Sequence, residues 1–192
     1  GKLVAENSSL STPHECDFGL LAPGNYQLTI RVDNRVVIDI GTDSHAITDH
    51  TQGNWNGIAG KIELRATDPV WIEDLQVYPQ SQSQSLLVKG LLGNVTGADG
   101  RDMLTLFVEG RRKSLEVVWD ARGGQFETEM RFRDGSSAPL APWDEFHPNV
   151  HALSARLGDR DRRDVTFGWR DLKTQGAQFY LNGRKLFFRG TL

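Results

Sequence analysis

Cysteine is almost missing from this chain: Cys16 stands alone among 192 residues, so no disulfide within the chain and no cysteine-based zinc site can form. No apolar run approaches the roughly 18 residues that a membrane-spanning helix needs, and no membrane partner is expected. A basic excess is lacking too. With net charge −3 and a pI near 6.0, the chain offers no broad positive field for a phosphate backbone, and nucleic acid is not expected as a partner. The start shows no basic segment followed by an apolar one, so a signal peptide is either removed or never existed. Gly-x-Ser-x-Gly, Gly-x-x-x-x-Gly-Lys and Gly-x-Gly-x-x-Gly patterns are all absent, leaving no nucleophile elbow and no phosphate loop. No window of 11 or more residues carries a helical apolar stripe.

What remains is alternation. Tyr26, Leu28, Ile30 and Val32 alternate with Gln27, Thr29 and Arg31, the signature of a strand with one wet face. Ile62, Leu64 and Ala66 alternate with Lys61, Glu63 and Arg65, and Leu75 and Val77 follow. The polar run from Gln80 to Ser85 has the composition of a linker and marks the expected domain boundary. Beyond it come Leu87, Leu91 and Val95, then Leu104, Leu106 and Val108. Leu115 and Val117 follow, then Phe126, Thr128, Met130 and Phe132, then His151, Leu153, Ala155 and Leu157, then Val165 and Phe167. Strands about ten residues apart with turn signals between them predict a β-sandwich of about seven strands, the number an immunoglobulin-like domain requires. Asn182-Gly183, set between two apolar runs, predicts a hairpin with a two-residue turn.

Several polar features have unremarkable readings. Arg111-Arg112-Lys113 and the cluster from Arg160 to Arg163 read as solvated turns. Asn7-Ser8-Ser9 and Asn94-Val95-Thr96 fit the N-glycosylation pattern, which is common by chance. Trp143, between Pro142 and Pro148, is expected to plug one end of the second sandwich. Residues 43–57 read as a long polar loop. There His45, Asp49 and His50 could ligate a metal, but a loop histidine beside an aspartate is usually hydrogen-bonded, and no metal is expected. Asp49, His50, Asn54, Trp55 and Asn56 are the candidate substrate-binding residues: planar amides and carboxylates address sugar hydroxyls, and a tryptophan face stacks on a sugar ring. Trp55 could equally anchor the loop into a core. No catalytic residue and no cofactor is identified.

Trp55 through Leu64, Trp143 through Pro148 and on to Leu157, Phe167-Gly168-Trp169-Arg170, and then Leu181-Asn182-Gly183-Arg184-Lys185 with Phe188-Arg189-Gly190, taken in this order, resemble family 2 glycoside hydrolases, the group of β-galactosidases and β-glucuronidases. His151 departs from the tyrosine such proteins often carry there. The resemblance implies an all-β chain made of three parts. These are a partial, galactose-binding-like jelly-roll sandwich over residues 1–80, an immunoglobulin-like β-sandwich over 81–177, and a hairpin over 178–192 leading into an absent (β/α)₈ barrel. In that family two glutamates on the barrel perform retaining hydrolysis, one attacking the anomeric carbon and the other protonating the leaving group. By this reading the chain itself is a non-catalytic support of a glycosidase, its partners are its own barrel and carbohydrate, and the parent is secreted or periplasmic. A first domain of 80 residues is small for a jelly roll of about eight strands, so either completion of its sheet by another copy or a thinned sandwich is a further expectation. Two other classes fit the same pattern: a stand-alone carbohydrate-binding module and a cell-surface adhesion protein, although the two halves show no internal repeat.

Overall fold

The computed structural model describes residues 1–9, 12–33, 35, 57–81, 83–132 and 140–190. The chain divides into two units, Gly1–Glu63 and Leu64–Leu192. Among the described residues there is no helix, and the protein is all-β.

In the first unit no described residue belongs to a strand. The alternating residues 26–32 belong to no strand, and their apolar side chains are half or more exposed. This departs from the strand expected there, as does the solvent exposure of Ile62 and Leu64. Alternation produces a ladder only where a neighbouring strand accepts the backbone hydrogen bonds, and no described residue does so here.

Among the described residues, every strand lies in the second unit. The first sheet joins β1 (Val70–Gln80), β2 (Ser85–Asn94) and β5 (Gly124–Arg131) in the order β1-β2-β5. A second sheet joins β3 (Gly100–Val108), β4 (Arg111–Trp119), β6 (His151–Leu157) and β7 (Asp161–Phe167) in the order β4-β3-β6-β7. All pairs are antiparallel. Ile72, Leu86, Val88 and Leu92 from the first sheet share one buried cluster with Leu104, Leu106, Leu153 and Leu157 from the second. Each such leucine, withdrawn from water, contributes about 1.5–3 kcal/mol.

The expected inward positions hold for Leu104, Leu106 and Val108 and for His151, Leu153, Ala155 and Leu157, all buried. In β2 they do not. Leu86, Val88 and Leu92 point inward, while Leu91 and Val95 are exposed. The doubled Leu86-Leu87 and Leu91-Leu92 leave two phases open to this strand, and pairing with β1 on one side and β5 on the other selects between them.

The run from Gln80 to Ser85 is not a linker. It is the turn of the β1–β2 hairpin, whose last pair is Gln80 with Ser85. Gln84 takes a positive φ of 51° there, its side chain donates to Ser81 O at 2.7 Å, and its carbonyl accepts from Phe132 N at 2.8 Å. Polar composition alone does not distinguish a turn from a tether; what decides is the apolar strand on each side.

The arginine cluster at 160–163 is likewise more than a solvated turn. The register of β1 shifts between Ile72 and Asp74, a bulge that frees backbone groups. Asp161 Oδ2 accepts from Ile72 N at 2.8 Å, while Arg163 donates to Ile72 O at 3.2 Å and also to Glu73 O. β7 thus satisfies the bulge and ties the edges of the two sheets together. Arg111, also expected in a solvated turn, lies over the Phe132 ring at 4.7 Å, and Lys113 Nζ donates to Glu129 O.

Candidate functional site

The loop residues expected to meet sugar, Asp49, His50, Asn54, Trp55 and Asn56, lie outside the described residues, as does His45. Among the described residues no three of His, Cys, Asp and Glu come together as a metal cluster would require. Of the two glycosylation patterns, Asn94 is buried and fully engaged. Its Nδ2 donates to Ala98 O and Asp120 O, both at 2.8 Å, and its Oδ1 accepts from Thr96 N and Thr96 Oγ1. That amide shapes the β2–β3 connection. Asn7 is exposed.

Several long-range polar contacts gather where a third sheet joins the sandwich. It consists of β8 (Leu172–Gln175), β9 (Gln178–Leu181) and β10 (Arg184–Leu186) in the order β10-β9-β8. Asn182-Gly183 joins β9 to β10 with φ of 51° and 79°, both positive as the two-residue turn demands. The hairpin was legible in the sequence, whereas β8, four polar-flanked residues with no apolar alternation, was not.

Asn182 does more than turn the chain. Its Nδ2 donates to Trp143 O at 2.9 Å, its Oδ1 accepts from Asp171 N at 2.9 Å, and its backbone N donates to Asp171 O at 2.8 Å. Trp143 N in turn donates to Trp169 O at 2.8 Å. Arg170 lies over the Trp143 ring at 5.1 Å. Gly168 lets that tryptophan approach, since a Cβ there would come within 2.9 Å of it. The end of the core is sealed by the buried Trp169, edge-on to Phe132 with ring centres 5.6 Å apart. Trp143 is only half-buried and does not belong to the buried core, so it is not the plug expected of it.

His151, buried at the start of β6, belongs to the same end. Its Nε2 lies 2.8 Å from Ala141 O and its Nδ1 3.2 Å from Glu109 Oε1. Glu109 holds a positive φ of 46° in the β3–β4 turn, a conformation uncommon for a residue with a side chain. The histidine therefore pins the segment ahead of Trp143 to the sandwich. Sequence spacing could not reveal a contact between positions 42 residues apart.

Asp144 accepts hydrogen bonds from the backbone N–H groups of His147 and Phe146, and these hold its carboxyl below the usual carboxylate range. It shapes the loop ahead of β6, a structural use of charge.

The architecture is that of a β-sandwich with an attached small sheet, and comparison with solved structures finds that fold in glycosidases. A β-galacturonidase of glycoside hydrolase family 2 from Eisenbergiella tayi, bound to galacturonate, superposes with a TM-score of 0.54 at 17% identity over 62% of this chain and 22% of its own. A family 2 member from Bacteroides cellulosilyticus gives 0.50 at 18%, over 62% and 18%. An exo-chitosanase from Amycolatopsis orientalis gives 0.50 at 21%, over 66% and 16%. The chain spans about a fifth or less of the length of these proteins, and at such identities the likeness is one of fold. No family description and no curated protein matches by sequence.

Proposed function

We propose that this chain is the non-catalytic β-sandwich region of a glycoside hydrolase, bracing a catalytic (β/α)₈ barrel whose activity is hydrolysis of O-glycosidic bonds. The observation that carries this reading is the shared fold with glycosidases over 62–66% of this chain but only 16–22% of theirs, as expected of one part of a larger enzyme. The β1-β2-β5 and β4-β3-β6-β7 orders support an immunoglobulin-like reading of the sandwich, and the first unit is read as part of a jelly roll. Asp49, His50, Asn54, Trp55 and Asn56 are proposed to stand near the sugar, in a protein that is secreted or periplasmic.

The test compares this chain with the longer gene product on a panel of aryl β-glycosides. Hydrolysis by the longer protein and none by the 192-residue chain is expected; hydrolysis by neither would overturn the reading. In the active protein Trp55→Ala should raise KM or lower kcat/KM by about tenfold with the thermal midpoint unchanged. Unaltered kinetics would remove Trp55 from the sugar site. If calorimetry instead found glycan binding by this chain alone, a carbohydrate-binding module would replace the supporting role.

A further inference from the structure

Asn182-Gly183 is a reactive pair as well as a turn. The backbone nitrogen that follows an asparagine is the nucleophile in the loss of ammonia from its side chain, and glycine has no Cβ to shield that nitrogen. Both residues are exposed, and a Cβ added at Gly183 would meet nothing within 4 Å, so water and base reach the site. The step needs no other reagent. The Gly183 nitrogen gives up its proton and bonds to Asn182 Cγ, closing a five-membered succinimide; the Cγ–Nδ2 bond breaks and Nδ2 departs as ammonia. One water then opens the ring, at Cγ to leave aspartate or at the main-chain carbonyl carbon to leave isoaspartate.

The fold opposes the first of these events. Asn182 is held at three points on two other segments: Nδ2 on Trp143 O, Oδ1 on Asp171 N, and its backbone N on Asp171 O. Ring closure requires the side chain and the peptide after it to rotate towards one another, which draws Nδ2 and Oδ1 off those partners. The same bonds join the third sheet to the sandwich.

We infer that Asn182 is a deamidation site gated by this junction: it reacts only while the junction is open, and its product cannot close the junction again. Aspartate carries no donor at the charged carboxylate, so the oxygen standing in for Nδ2 meets Trp143 O as acceptor against acceptor. Isoaspartate routes the backbone through the side chain and adds a carbon to it between Leu181 and Arg184, which pair across the turn. Each opening that ends in reaction is therefore kept as a permanent loosening of β8, β9 and β10.

The test follows aspartate and isoaspartate at position 182 in tryptic peptide 174–184, which separates this site from Asn56-Gly57, the chain's other Asn-Gly pair. Incubated at mildly alkaline pH, the native 192-residue chain should form them at least about tenfold more slowly than the same chain unfolded in guanidinium. Equal rates would overturn the gating. A Cβ at Gly168 would come within 2.9 Å of Trp143, so Gly168→Ala should speed the native reaction by shifting that partner. Arg170→Ala, which takes the guanidinium off the Trp143 ring, should speed it less. A native rate unmoved in both variants would assign the protection to the turn alone and overturn the gating. Asn182→Asp, the aspartate product, should quicken hydrogen exchange at Lys173 and Tyr180, paired between β8 and β9, by about two- to tenfold. Unchanged exchange there would overturn the loosening.

Discussion

Residues 26–32 and residues 126–132 carry nearly the same pattern: Tyr26, Leu28, Ile30 and Val32 in one, Phe126, Thr128, Met130 and Phe132 in the other, each alternating with polar or charged neighbours. Their surroundings differ completely. Tyr26 and Leu28 are 62% and 59% exposed, whereas Phe126 and Met130 are 7% and 4% exposed. β5 lies along β2 from Leu92–Gly124 to Ser85–Arg131 and faces the opposite sheet, while the earlier segment has no ladder partner among the described residues. Alternation specifies that a segment has an apolar and a polar face. It does not supply the surface against which the apolar face is buried, and burial is what makes such a segment a strand.

The sharpest way to break this contrast is to truncate one leucine in each region. Leu153→Ala, in a side chain with no exposure, should cost about 2–5 kcal/mol in urea unfolding, the transfer loss plus a cavity. Leu28→Ala should change stability by no more than about 0.5 kcal/mol. A comparable loss at both positions would mean that residues 26–32 are buried after all, and the contrast would fall.

A smaller effect tests what holds the sandwich edges together. Asp161→Ala leaves Ile72 N, in a fully buried residue of the β1 bulge, without its acceptor, and should cost about 1–3 kcal/mol. Hydrogen exchange should quicken at Ile72 before it does at Leu104 in the core. If the two amides quicken together, the bulge is not a local tie but part of the cooperative unit.

The smallest expected effect concerns acid. Hydrogen bonding from the Ser85 hydroxyl, then from Arg131, holds the Glu129 carboxyl below its usual range. A depressed carboxylate adds stability that is complete above its unfolded pKa, near 4.3 for glutamate, and that disappears as pH falls through the lowered folded value. Glu129→Gln should therefore lower stability slightly at neutral pH and flatten the acid side of the profile below about pH 4.3, the two proteins converging as the pH falls. An unaltered acid limb would assign it to other carboxylates, Asp164 among them, which Ser154 and Arg162 hold low in the same manner.

The region at the sandwich end shows how partial the legibility of a site is. Asn182-Gly183 announces its turn locally, because both residues must take positive φ. Nothing local announces that the Asn182 amide reaches Trp143, 39 residues earlier, or that His151 reaches Glu109. Such contacts are made only after the sheets have stacked. The candidate sugar loop was read from composition, and its residues fall outside those the structure describes.

Local chemistry by itself determined that the chain is all-β, where most strands of the second unit run, which side chains of β3 and β6 face inward, and where the terminal hairpin turns. These follow from side-chain periodicity and backbone sterics, which act over a few residues. Only the tertiary structure decided the β1-β2-β5 and β4-β3-β6-β7 orders, the phase of the doubled leucines in β2, the hairpin turn at Gln80 to Ser85, and the part Asp161 and Arg163 play at the bulge. Each of these depends on which distant segment supplies the partner, and pairing energy is gained only when both partners are in place.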